Sequence, residues 1–119
     1  MTPVDPLMFE VFARESIGVL RQDLRSWALQ VMLAGLSFEA RIAERNKAIR
    51  AAADFLPADM PTSERARQLH AELCAVSRST RPSHPDVGTM RGGLALALLA
   101  RDRVPDVQQV RRVLDEDCL

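Results

Sequence analysis

The chain has 119 residues, of which 47% are hydrophobic and 27% are charged, and its 16 basic side chains balance 16 acidic ones. This length fits one domain with a core of its own, and the composition excludes general disorder. A formal net charge of zero excludes a whole-molecule field that would attract nucleic acid or an anionic membrane. The longest apolar run, residues 94–100, is far shorter than the roughly 20 residues that span a bilayer.

The N-terminal sequence and the cysteines indicate a cytoplasmic protein. Residues 1–5 lack the basic stretch and the small-residue cleavage site of a signal peptide. Cys74 and Cys118 in such a chain suggest reduced thiols. We expect one helical domain over residues 1–119, with frayed ends at residues 1–4 and 115–119.

The first predicted element is one long helix over residues 6–34, with Asp5 as its N-cap and Gly35 as its C-cap. Arg25 belongs to its polar face. Apolar side chains recur along the other face at three- and four-residue steps: Phe9, Phe12, Leu20, Leu24, Trp27 and Val31.

The length of this helix predicts self-association. A straight helix over residues 6–34 would be about 43 Å long, whereas a globule of this size has a diameter of roughly 35 Å. The helix must therefore break at Gly18 or project beyond its own domain. Because a projecting apolar face needs a cover, we expect a homodimer in which Trp27 contacts the partner.

Two further helices are predicted in the middle of the chain. Ser37 is the N-cap of helix two, which must end before Pro57. Thr62 or Ser63 then caps helix three.

The last third of the chain predicts helices four and five. Helix four begins near Pro85 or just after Gly88, and its Leu/Ala run over residues 94–100 belongs at the centre of the core. Asp106 and Gln109 form a capping-box variant that opens a short helix five.

The pair Gly92 and Gly93 permits either a close approach by another helix or a late start of helix four. Together, the segments predict an all-α bundle of four to five helices with a long N-terminal helix.

Arg45 is the one charge in line with the apolar stripe of helix two, between Ile42 and Ile49. Its stem can lie along apolar surface, but the guanidinium needs a carboxylate on another helix or a group on a binding partner. The candidate carboxylates are Glu15, Asp23 and Glu72. Trp27 and Arg45 are therefore the candidate partner-binding residues.

No pattern in the chain predicts a catalytic, cofactor or metal site. His70 and Cys74 share one face of helix three, and His84 and Cys118 would complete a tetrahedral zinc set, but their spacing matches no zinc pattern. The sequence also lacks a nucleophile elbow and a phosphate-binding glycine loop. The predicted function is a non-enzymatic regulatory or interaction module that self-associates and binds a protein partner.

The main alternative is a DNA-binding regulator. Residues 73–114 hold 7 Arg and 3 Asp, a local balance of +4. Helices four and five would form a helix-turn-helix-like unit over residues 94–114. Gln108, Arg111 and Arg112 would then face the major groove, where such side chains read base edges.

A second alternative comes from a resemblance. Residues 7–15, Leu-Met-Phe-Glu-Val-Phe-Ala-Arg-Glu, leading into Leu20, Leu24 and Trp27, resemble the first helix of histidine-phosphotransfer domains of chemotaxis-type kinases. The resemblance implies a helical bundle that binds receiver domains or kinases. The phospho-accepting His of that family has no counterpart in helix two, so a phosphotransfer-like bundle without its acceptor is implied.

Overall fold

Six α-helices form the described part of the computed structural model, which comprises residues 5–16, 22–79, 85 and 88–116, apart from the side chains of residues 22, 23 and 116. The helices are α1 (Pro6–Glu15), α2 (Gln22–Ala34), α3 (Phe38–Ala53), α4 (Thr62–Arg78), α5 (Met90–Ala100) and α6 (Val107–Glu116). No strand occurs among these residues, so the all-α class is confirmed. The radius of gyration is 13.9 Å.

Helix starts are set mainly by side-chain caps, as the sequence predicts. Asp5 accepts a hydrogen bond from the Leu7 amide at 2.9 Å, and Ser37 accepts one from the Ala40 amide at 3.1 Å. Each cap satisfies one of the amides that lack a partner in the first helical turn.

The capping box predicted for helix five, which is α6, is also confirmed. The cap predicted for helix three, which is α4, is wrong. Asp106 accepts a hydrogen bond from the amide of Gln109 at 2.8 Å. In contrast, Thr62 is already the first residue of α4, with Pro61 at the N-cap position and no side-chain cap. Helix α5 begins at Met90, where Thr89 caps it.

The prediction of one long N-terminal helix is wrong, because residues 6–34 contain two helices that pack on each other. In an uninterrupted helix, residues 13 and 25 would lie about 18 Å apart along the axis, beyond the reach of one side chain. Yet Arg25 donates a hydrogen bond to the carbonyl oxygen of Ala13 at 2.7 Å. Gly18, the predicted break point, lies outside the described residues.

Arg25 links the two helices from inside the fold, with 2% of its surface exposed. Its Nε donates to the Ser16 hydroxyl at 2.9 Å, and its Nη1 donates to the Pro85 carbonyl. The bonds to Ser16 and Ala13 supply donors to the C-terminal end of α1. Helix C-termini carry carbonyls without intrahelical partners, so a cation that donates to them stabilises the end of α1.

The centre of the core is the contact between α3 and α5, the most extensive helix pair in the structure. A Cβ added to Gly93 would lie 3.4 Å from the carbonyl oxygen of Ala48 and 3.6 Å from the Cβ of Ala52. The glycine therefore lets the two helix backbones approach closely, which was one of the two roles predicted for the glycine pair. The prediction that residues 94–100 lie in the core is confirmed, since Leu94, Ala97 and Ala100 are buried.

The other helices pack around this pair. Helix α4 contacts α5 and α6 and buries Leu69 and Leu73, while α6 buries Val110 and Val113. Helix α2 also contacts α5. None of the described helices is long and apolar enough to cross a membrane.

An ion-pair network fastens α1 to α3. Lys47, the only lysine of the chain, pairs with Glu10 of α1 and lies 3.6 Å from Glu44 of its own helix. The hydrogen bond with Lys47 lowers the pKa of Glu10, whereas burial raises the pKa of Glu44. Because Lys47 and Glu10 are both partly exposed, their ion pair contributes little to the stability of the contact between α1 and α3.

The close approach of α3 and α5 predicts different outcomes for two substitutions of Gly93. Gly93→Ala should change the free energy of unfolding by no more than about 1 kcal/mol, because the new methyl group fits and alanine favours helix. Gly93→Leu should cost about 1–3 kcal/mol or more, since its side chain must push the backbones apart. Urea denaturation followed by circular dichroism measures both, and equal stability of the two variants would contradict the packing described here.

Candidate interaction surface

Helix α2 buries one apolar face and exposes another. Leu29 and Leu33 are fully buried, at 0% and 1% exposure. Leu24, Trp27 and Val31 are 50%, 63% and 51% exposed. A helix of a monomeric protein usually turns polar side chains to solvent, so a second apolar face needs an explanation.

Between residues 24 and 34, where the structure describes the side chains of α2, its exposed face carries no charge. Between residues 24 and 34 the exposed side chains are Leu24, Trp27, Gln30, Val31 and Ala34. The only charged residue in this stretch is Arg25, which is buried. The four apolar ones, Leu24, Trp27, Val31 and Ala34, form what we call the α2 ridge.

The α2 ridge has the spacing of a helix-pairing seam. Its members follow one another at steps of three, four and three residues, as the a and d positions of a heptad do. At 3.6 residues per turn these steps keep the four side chains on one side of the helix. Its residue types and its spacing both suit contact with another helix.

Helix α1, which packs on α2, adds apolar surface of its own. Leu7, Met8 and Val11 are 64%, 63% and 41% exposed. Phe9 faces inward and is 1% exposed. The N-terminal pair of helices therefore presents most of the large exposed apolar side chains that the structure describes.

The structure divides the apolar stripe predicted for the N-terminal segment. Phe9 faces the core, whereas Leu24, Trp27 and Val31 face solvent on the α2 ridge, and Leu20 lies outside the described residues. The stripe is not one continuous face, because residues 6–34 do not form one helix. Trp27 lies on the exposed surface, where the proposed partner contact requires it to be.

Arg45 is buried, with 8% of its surface exposed, but its hydrogen-bond partner is a neutral amide. Its Nε and Nη2 groups donate to the side-chain oxygen of Asn46 at 3.2 and 3.0 Å. Burial and, next, the positive charge of Arg101 lower the pKa of Arg45. Two guanidinium groups are therefore held near each other in a partly dehydrated environment.

The expected carboxylate partners of Arg45 lie elsewhere. Glu15 pairs with Arg14 at 3.4 Å, and Glu72 pairs with Arg91 at 3.1 Å. The side chain of Asp23 is outside the described part of the chain. None of the carboxylates that the structure describes pairs with Arg45, and the predicted pair with Asp23 stays a prediction.

The residues of the DNA-binding alternative lie on α6. Gln108, Arg111 and Arg112 are exposed, on the side opposite the buried Val110 and Val113. Helix α6 packs on α4 and, to a smaller extent, on α3. Helix α6 therefore packs mainly on α4. The predicted helix-turn-helix-like unit over residues 94–114 would instead pair α6 with α5.

His70 and Cys74 lie on one face of α4, as predicted, with 3.8 Å between the imidazole Nε2 and the Sγ atom. His84 and Cys118 are outside the described residues. No cluster of three or more metal-ligating side chains occurs in the described part of the chain.

Comparison with known proteins adds no family assignment: no family model, curated protein or solved structure matches this chain. The segment that resembles phosphotransfer domains spans α1 and part of α2, so it does not form the single first helix of that family.

The surroundings of Arg45 predict that its removal leaves the fold stable. Arg45→Met keeps an apolar stem and relieves the repulsion with Arg101. The variant should therefore lose no more than about 1 kcal/mol of its free energy of unfolding. Arg25→Met is the matched control, because it leaves buried carbonyl groups without donors and should cost about 1–3 kcal/mol. Urea denaturation of both variants measures the difference, and an equal loss would show that Arg45 is a structural residue.

Proposed function

We propose that this chain is a non-enzymatic helical interaction module that self-associates through the α2 ridge and thereby presents its remaining surface to a protein partner. The observation that carries the proposal is the apolar outer face of α2, which is uncharged between residues 24 and 34 and which the fold leaves in solvent. Interfaces are enriched in aromatic side chains and depleted of charge at their centres, and Trp27 occupies the middle of this face.

A second copy of the chain is the occupant that this face suits best. In a two-fold symmetric pair, the same patch must be complementary to itself. The α2 ridge meets this condition, because it has no charged member that would face a like charge in its partner. Its heptad spacing also allows two α2 helices to interlock side by side.

A stable dimer needs more apolar surface than the α2 ridge alone supplies. A stable interface buries roughly 800 Å² on each partner, and a large aromatic side chain contributes about 150–250 Å² when it is fully buried. A ridge on one short helix falls short of the required area. The exposed Leu7, Met8 and Val11 of the adjoining α1 supply further apolar surface.

DNA binding is the second candidate function. It is supported by the exposure of Gln108, Arg111 and Arg112 on one helix, which groove contact requires. It receives less support than self-association, because DNA contact leaves the α2 ridge uncovered.

The test replaces one aromatic residue on the ridge and one away from it. Trp27→Glu should convert a dimer to a monomer, since it puts a charge in the centre of the interface. Phe55→Glu is the matched control, because Phe55 is an aromatic residue 51% exposed on another part of the molecule. Light scattering coupled to size exclusion measures the mass of each variant, and circular dichroism checks that both fold.

Trp27 is also a direct reporter, as it is the only tryptophan of the chain. Dilution of the unmodified protein should shift its fluorescence to longer wavelength as the dimer dissociates and the indole enters water. A monomeric mass at all concentrations, with emission that does not change on dilution, would contradict the proposal.

A further inference from the structure

Arg45 lies in the wall of a cavity of about 330 Å³ between α3 and the segment that leads into α6. Arg101 and Arg103 line the same cavity, as do Asp106 and Gln109. The volume is at the lower end of the range typical of small-molecule sites. None of the residues that line the cavity belongs to the α2 ridge, and the cavity does not depend on self-association.

The charge of the cavity wall is strongly unbalanced. Three arginines and one aspartate give the wall a net charge of +2. None of the three guanidinium groups forms an ion pair with a carboxylate in the described residues. The single carboxylate, on Asp106, already accepts a hydrogen bond from the amide of Gln109 at 2.8 Å.

Two of the arginines, Arg45 and Arg101, are held in place by contacts that leave donors unused. Arg45 uses Nε and Nη2 to bind Asn46, so its Nη1 makes no hydrogen bond with any described residue. Arg101 stacks over the ring of Phe38, with its guanidinium carbon 5.1 Å from the ring centroid. Such stacking orients a guanidinium while its edge N–H groups stay available.

The start of α6 adds to the positive potential. Helix α6 has 10 residues, and its capping residues Asp106 and Gln109 belong to the cavity wall. The first amides of a helix point outward from its N-terminal end, where the helix dipole carries a partial positive charge. Anions bind such helix ends when cationic side chains converge on them.

We propose that this cavity binds the phosphate group of a small molecule, with Arg45, Arg101 and Arg103 as its ligands. The buried guanidinium of Arg45 is repelled by that of Arg101 and has no carboxylate partner among the described residues. An anion that occupies the space between the two groups stabilises them. A phosphate dianion balances the wall charge of +2, whereas a carboxylate leaves it half compensated. Its three oxygens also match the forked donors of several arginines.

The experiment is isothermal titration calorimetry of the full chain with three probes at constant ionic strength: inorganic phosphate, glycerol 3-phosphate and acetate. Both phosphates should bind saturably, and acetate should bind at least about tenfold more weakly because it carries less charge. Tighter binding of glycerol 3-phosphate would assign the site to phosphorylated metabolites, and equal binding would assign it to the phosphate group alone.

Two pocket variants and one control locate the binding. Arg45→Met and Arg103→Gln should each weaken phosphate binding at least about tenfold. Arg103→Gln alters an exposed side chain, so the test stays valid if Arg45→Met unfolds. Arg112→Gln removes an exposed arginine of α6 outside the cavity wall and should leave the affinity unchanged.

Three outcomes would overturn the proposal. One is the absence of saturable phosphate binding, and another is an equal loss of affinity in Arg112→Gln and the pocket variants. The third is binding of duplex DNA that all three substitutions weaken alike, because that result would assign the arginines to a nucleic-acid surface.

Discussion

The fold depends on the close contact between α3 and α5, which small residues make possible. Ala48 and Ala52 on α3 face Gly93 on α5 at distances that leave space for little more than one methyl group. Such backbone proximity buries Leu94, Leu96, Ala97 and Ala100 of the apolar run that follows Gly93. Helix α5 thereby becomes the central element that α2 and α4 contact. Tightly packed small residues tolerate little change in volume, which makes this contact the least replaceable part of the core.

Helix α2, which packs on this central element, has more apolar surface than the core covers. Leu29 and Leu33 already satisfy the inward side of α2, and Arg25 turns inward to donate to the end of α1 and to Pro85. The only charged side chain between residues 24 and 34 is thereby used inside the fold. What faces solvent is the α2 ridge, and this division of one helix into two apolar faces is the physical basis of the proposed self-association.

Features that depend on neighbouring residues could be predicted from the sequence, whereas features that depend on distant ones could not. The caps at Asp5, Ser37 and Asp106 follow from local side-chain chemistry, and the central position of residues 94–100 follows from composition. In α2 both faces are apolar, so periodicity cannot decide which one is buried. The hydrogen bonds of Arg25 go to backbone carbonyls, which leave no trace in a pattern of side chains. The cavity beside Arg45 joins residues more than 50 positions apart, for which the sequence offers no local signal.

Native-state hydrogen exchange at low urea concentrations tests the central claim most directly, because it measures the opening free energy of each helix separately. We expect the amides of α3 and α5 around Ala52 and Leu94 to exchange only by global unfolding. The amides of α1, which is attached through Phe9, one buried arginine and one partly exposed ion pair, should exchange by a smaller opening. Equal protection of α1 and α5, or separate unfolding of α3 and α5, would contradict the account.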